Sequence, residues 1–318
     1  MFTKLARLAI VLVLLSATST AWAQIPAMPT PTKVEVATAI TTGLEGPTAD
    51  AAGNVYFTEG RNNRIWRLGT DGKLSVFRQP SNRANGLVFD TQFRLIAAEA
   101  GDPETKTPGR VTRTDMKTGQ IEVLAESGRN GFKFDAPNDV TYDNKGRIYF
   151  TDLRGAGVYR IDTDGKVTKI LADPVIDAPD GVGVSLDDKT LYIIEQSQAV
   201  NRARRIRAFD LSPEGVPSNP RVFHNFYPGR GGDGMSIDVD GNLYVAAGMN
   251  QMRGTSENLV NRAGIYVFSP AGALLDLIPI PMDSLTNCAF GGPDMKTMYA
   301  TSGNTLFKFQ TKIAGTRR

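Results

Sequence analysis

The sequence predicts an all-β fold: a six-bladed β-propeller over about residues 33–312, with a central axial metal site. Three observations predict it. A two-strand unit recurs six times, sustained helical periodicity is absent, and one polar position keeps phase with the repeat. The units are 49–59, 89–99, 142–152, 184–195, 237–247 and 290–301. Each places two short runs rich in Tyr, Phe, Ile, Val and Thr around a turn with Gly or Asp, the chemistry of a tight hairpin. Further strand–turn pairs lie between them, such as 64–77 and 157–171. Each repeat therefore carries about four strands over roughly 40–50 residues, the period of a propeller blade. Six equivalent units are too many for a β-sandwich. The segment near 34–41 is read as the strand that completes the last blade and removes the exposed sheet edge.

The chain of 318 residues is 41% hydrophobic, 22% charged and 8% aromatic, which excludes a disordered, collagenous or disulfide-dense protein. The formal net charge is +3, or about +1 without the leader cations Lys4 and Arg7, so a nucleic-acid surface is not expected. The lone Cys288 cannot form an internal disulfide or a multi-cysteine metal site. The lone His224 is read as a packing or surface residue, and no G-x-S-x-G nucleophile elbow is present. Residues 1–23 read as a signal peptide: Lys4 and Arg7, an apolar run over 8–15, then Ala21-Trp22-Ala23. Residues 24–32 read as a flexible leader and 313–318 as a C-terminal tail. The expectation is an exported protein, periplasmic or secreted, with no membrane association after cleavage. The oligomeric state is not written in the sequence.

Two literal motifs are set aside. Asp71-Gly72, Asp164-Gly165 and Asp240-Gly241 lack the rest of a calcium loop and are read as hairpin turns. The stretch Gly229-x-Gly231-x-x-Gly234 matches a dinucleotide fingerprint but neither follows a clear strand nor opens a helix. Trp66 is read as packing between blades, and Arg129 and Lys133 as solvated charge.

A short polar signature precedes each unit: Glu45-Gly46-Pro47, Asn85-Gly86-Leu87, Asn138-Asp139-Val140, Asp180-Gly181-Val182, Asp233-Gly234-Met235 and Asn287-Cys288-Ala289. Its first residue is always Glu, Asn or Asp. In a propeller these positions open the innermost strands and meet at one mouth of the channel, giving three carboxylates and three amides. At about 6 Å and an effective dielectric near 20, each pair of like charges costs on the order of 3 kcal/mol. Raised carboxylate pKa values or a bound cation relieves that repulsion. All the donors are oxygens, so the expected ion is Ca²⁺, with Mg²⁺ or another divalent cation as the alternative.

These motifs, with Ala136-Pro137-Asn138-Asp139-Val140, Gly232-Asp233-Gly234-Met235 and the run 286–294, resemble the gluconolactonase / senescence-marker protein / luciferin-regenerating family of calcium-dependent propellers. The resemblance covers about 34–308. It implies that Glu45, Asn138, Asp180 and Asp233 hold the metal, that Asp233 is the general base, and that a small sugar lactone is the substrate. Asn85 and Asn287 are expected to contact that substrate. The sequence departs from the family in three places. Asp180 stands in Pro-Asp-Gly where an Asn is usual, Ala100 replaces a frequent His, and the loop 153–157 is short. The same site also suits an organophosphate or aryl-ester hydrolase, and a non-catalytic ligand-binding propeller with structural calcium is the third reading.

Overall fold

The computed structural model describes residues 32–129 and 131–317. The predicted signal peptide and all of the predicted leader but Thr32 lie outside the described residues. Strands among the described residues form six antiparallel four-stranded sheets, each a propeller blade. Five blades are built from consecutive strands. The sixth takes Leu285–Gly291, Thr297–Ser302 and Thr305–Gln310 from late in the chain and Glu35–Ala39 from the start. Glu35 faces Lys308 and Ala39 faces Thr305, so the first strand closes the ring as the sequence predicts.

The first strands of blades one to six are Glu45–Ala49, Ala84–Phe89, Pro137–Tyr142, Pro179–Val184, Gly232–Ile237 and Leu285–Gly291. Each touches the first strand of the blade on either side, so the six form the channel wall. Hydrophobic clusters fill the space between neighbouring blades. Val88 and Ile96 of blade two pack with Phe150 and Tyr159 of blade three, whose rings stack at 5.1 Å. Ile194 of blade four packs with Val245 and Phe268 of blade five. Each such side chain contributes roughly 1.5–3 kcal/mol through burial. Alternation along the strands supplies two apolar faces per blade, one for each neighbour. The turn glycines Gly72, Gly165 and Gly241 have φ of +78°, +85° and +81°, the left-handed backbone that Asp-Gly hairpins supply.

The acids that end four of the repeated units tie the loops above the blades. Buried Glu99 accepts hydrogen bonds from Arg78, Arg110 and Thr112, each at 2.6 Å. Buried Asp152 accepts the backbone N–H groups of Asp135 and Ala136 at 3.0 and 2.6 Å. Buried Glu195 accepts the Asp177 N–H at 2.8 Å, and Glu59 accepts the Trp66 indole N–H at 2.8 Å. These carboxylates fix the inter-blade loops. His224 lies on the outer strand of blade four against Phe226 and Phe268, with ring centroids 4.5 Å apart in each case.

The end of the chain packs on the propeller. The Thr316 N–H and hydroxyl both donate to the Ile237 carbonyl, at 2.9 and 2.8 Å, and Arg317 donates to the Asp50 carbonyl. Thr316 and Arg317 line the far end of the channel, whose interior is a narrow space of about 40 Å³. That is room for one or two waters.

Candidate active site

Strand register fixes which residues share a level of the channel. Ala84 faces Glu99, Pro137 faces Asp152, Pro179 faces Glu195, Gly232 faces Ala247 and Leu285 faces Ser302. The next residue in each first strand is therefore Asn85, Asn138, Asp180, Asp233 and Thr286. Glu45, facing Thr58, takes the same place in blade one. The mouth thus gathers Glu45, Asn85, Asn138, Asp180 and Asp233 as the sequence predicts, with Thr286 rather than Asn287 as the sixth. Asn287 lies one residue deeper. Hydroxyls of neighbouring blades hold this level in place: Thr58 donates to the Asn85 carbonyl at 2.8 Å, Thr151 to that of Asp180 at 2.6 Å, and Thr286 to that of Leu44 at 2.8 Å.

The level beneath is Gly46, Gly86, Asp139, Gly181, Gly234 and Asn287. Two side chains fill it, on opposite blades, three and six. The Asn287 amide hydrogen-bonds Asp139 across the axis, and each side chain accepts its own following N–H, at 2.8 Å (Asn287) and 2.9 Å (Asp139). Burial pushes the Asp139 carboxyl up to about 7, against the pull of these hydrogen bonds. Glycine is required beside them, on the neighbouring blades, for space. A Cβ on Gly86 would strike the Asp139 carboxylate, and one on Gly234 would fall within the Asn287 amide. Gly234→Ala is expected to lower stability by about 3 kcal/mol, read from the urea midpoint, because neither partner has room to withdraw. An unchanged midpoint would mean that Asn287 swings clear.

The mouth is acidic and electrostatically coupled. Burial raises Glu45 and Asp180 well above the ordinary carboxylate range, and Asp233 and Asp139 push Glu45 further. Asp180 feels Asp233, Glu45 and Asp139 in that order. Burial also raises Asp233, while Arg230 and Gln196 hold it back. Arg230, with its side chain 4% exposed, donates to Asp233 Oδ2 at 2.6 Å; the Asp233 side chain keeps 13% exposure toward the mouth. Gln196 donates to the same oxygen at 3.3 Å. Arg253 nearby sits at 3.9 Å from Asp283, and its pKa is lowered by desolvation and by the charge of Arg230.

Among the described residues, no three His, Cys, Asp or Glu side chains come together as a metal-chelating group. The donors still suit a hard cation by chemistry. They are three carboxylates and one amide, all oxygen donors from separate blades, and the carboxylates outnumber the Arg230 charge.

Arg230, Gln196 and Asp139 were not singled out from the sequence as site residues. Arg230 sits inside the stretch set aside as a false dinucleotide fingerprint, and its glycines serve packing. A Cβ on Gly232 would meet Val245 at 2.8 Å, and one on Gly231 would meet Arg204 at 3.3 Å. Small residues there bring the Arg230 loop close over the mouth. An open groove of about 770 Å³ runs outward from Asn85 and Asn138 over blades two and three, lined also by Ala100, Gly101, Leu153 and Arg154. Two of the three departures noted in the sequence, Ala100 and the short loop, therefore lie on its walls.

Residues 44–304 match the sequence profile of the SMP-30/gluconolactonase/LRE-like region. The gluconolactonase of Zymomonas mobilis is 26% identical over 321 residues, covering 89% of this chain and 83% of that one. Lactonase drp35 of Staphylococcus haemolyticus is 30% identical over 212 residues, covering 64% of this chain and 62% of that one. A solved Xanthomonas campestris structure, described as a gluconolactonase important in glucose secondary metabolic pathways, superposes with a TM-score of 0.71 at 25% identity. It covers 88% of this chain and 89% of that one.

Proposed function

Because the chain belongs to the SMP-30/gluconolactonase/LRE-like family, we propose that it is a hydrolase that opens a lactone ring at the acidic mouth of its channel. The observation that carries this reading is the convergence of Glu45, Asp180 and Asp233 from three blades, all raised by burial, beside the buried cation Arg230. Perturbed carboxylates in a cleft are a common mark of catalysis. The gluconolactonase and lactonase relatives give the bond.

Asp233 acts as general base. Its raised pKa makes it a better proton acceptor than an ordinary carboxylate, and the Arg230 ion pair keeps it ionised and aimed. It takes a proton from water as the water oxygen attacks the lactone carbonyl carbon. The ring C–O bond then breaks, and the departing ring oxygen takes that proton back from Asp233. The net result is addition of one water and release of a hydroxy acid. Asn85, which lines the groove at the mouth, hydrogen-bonds a substrate hydroxyl. Asn287 acts from the level below, holding Asp139 in place under the site. Glu45, Asn138, Asp180 and Asp233 would hold a divalent cation, Ca²⁺ or Mg²⁺, which supplies Lewis-acid polarisation of the carbonyl. Asp180, in place of the family's usual Asn, adds a charge that strengthens cation binding. The leader of residues 1–23 directs the mature chain out of the cytoplasm.

The test is a panel of sugar lactones, aryl esters and a fluorophosphate, assayed by acid release before and after chelation, with metal content measured by mass spectrometry. Sugar lactones should be opened fastest, and chelation should slow them about a hundredfold, reversed by Ca²⁺. Hydrolysis of none of the lactones would end the hydrolase reading. Full activity in metal-free protein would end the metal assignment alone.

A further inference from the structure

The groove over blades two and three is built, and its walls are held back from the mouth by their own contacts. On blade two, the loop after Glu99 folds onto itself. The Asp102 N–H donates to the Thr107 carbonyl at 2.9 Å and the Thr107 N–H returns the bond at 3.0 Å. Buried Asp102 also accepts from the Asn63 amide at 2.9 Å, which pins the loop to blade one. Gly109 lies against the Pro137 ring, where a Cβ would come within 2.8 Å of Cδ. On blade three, four residues join Asp152 to Gly157. The Leu153 N–H donates to the Ala136 carbonyl at 3.0 Å, and Gly155 wraps so closely round the Asp152 carboxylate that a Cβ has no room. The groove is therefore a preformed space.

Its volume of about 770 Å³ sits in the range of about 300–1,000 Å³ that takes drug-sized ligands, well beyond one six-membered lactone ring. Its chemistry is polar and close to charge balance. Arg83 faces Asp102 at 3.7 Å and Glu104 at 3.5 Å, and Arg154 faces Asp135 at 3.7 Å. At those separations the ion pairs are loose; Arg154 also donates to the Asp135 carbonyl at 3.3 Å, and the remaining guanidinium N–H groups are placed to bind hydroxyl groups. Lys106 and Thr107 add further polar groups, while Leu153, Pro103 and Pro137 are the largest apolar side chains on the walls. Such a surface suits a neutral, hydroxyl-rich group and offers little to an alkyl chain.

We propose, resting on the lactone-hydrolase reading, that the substrate is an aldonolactone bearing a second sugar, and that this glycosyl group lies in the groove between Ala100 and Arg154. Ring opening occurs at the mouth, and the distal sugar supplies binding energy and selectivity.

The experiment compares kcat/KM for the lactones of gluconic and maltobionic acid, and of an alkyl-substituted lactone. The disaccharide lactone should be favoured over gluconolactone by about tenfold or more. In Ala100→Trp, which fills the groove, and in Arg154→Ala, on the exposed opposite wall, that ratio should fall at least fivefold, with thermal melts confirming folded protein. Equal use of the two sugar lactones, preference for the alkyl lactone, or a ratio unmoved in both variants would overturn the proposal. Calorimetric binding of maltobionate and gluconate separates the two layers of the argument. Tighter binding of maltobionate, weakened in both variants, supports the glycosyl site even if no lactone is opened, and then the hydrolase reading falls instead. Equal binding of the two acids overturns the glycosyl site whatever the hydrolysis assay gives.

Discussion

Asp233→Asn should lower kcat/KM for lactone hydrolysis by about 10²- to 10⁴-fold, the usual contribution of a positioned base. The amide keeps the shape of the carboxylate but cannot take a proton from water. It also removes the partner of Arg230, whose side chain is 4% exposed and whose other contact is the Gly248 carbonyl at 3.3 Å. Breaking one side of a buried pair costs about 3–5 kcal/mol. The variant should therefore melt lower than the parent as well as lose activity. The double variant Asp233→Asn, Arg230→Gln separates the two effects, because it removes the orphaned charge and should recover much of the stability with none of the activity. Full hydrolysis by folded Asp233→Asn would refute the base assignment, and activity restored in the double variant would move the chemistry elsewhere.

The second large effect concerns stability against pH in chelator-treated protein. Asp139 titrates near 7 when folded and near 3.8 when unfolded. Below pH 3.8 both states hold the proton and no difference arises. Between 3.8 and 7 the unfolded chain releases it while the folded protein retains it, so stability falls as pH rises, and the loss is complete above 7. For Asp139 alone the full loss is about 4 kcal/mol as an upper figure. Glu45 and Asp180, also raised by burial, add in the same direction. His224, lowered by burial, works the opposite way below its ordinary pKa. Comparing Asp139→Asn with the parent cancels that contribution. Asn keeps an oxygen for the Val140 N–H but has no charge to desolvate. In urea unfolding at pH 5 and pH 8, the parent should lose about 2–3 kcal/mol more than the variant, the part of the Asp139 loss that falls between those pH values. Identical slopes in the two proteins would sink the account. Added Ca²⁺ should reduce the parent's loss at pH 8, because a ligand of the folded state alone stabilises it by mass action.

The fold was legible because its information is local. Each hairpin carries its own alternation and turn residues, and six copies in phase leave one arrangement that buries every apolar face. Glu45, Asn85, Asn138, Asp180 and Asp233 were legible for the same reason: a fixed place in a repeated strand becomes a fixed level of the channel. Blade six was misaligned by one residue. Asn287-Cys288-Ala289 imitates the polar–small–apolar signature, whereas the register is set by Leu285 facing Ser302, with an irregularity before Asn287. That single step carries Asn287 from the mouth to the level of Asp139.

By itself the sequence determined the propeller, its closure by the first strand and the acidic character of its mouth, because short-range pattern and repetition dictate all three. Only the tertiary structure decided that Arg230 neutralises Asp233, that Asp139 and Asn287 meet across the axis, and that a groove opens beside Asn138. Each of those depends on side chains from different blades arriving at one point. Burial and charge at such a point are properties of the assembled ring, which no local segment encodes.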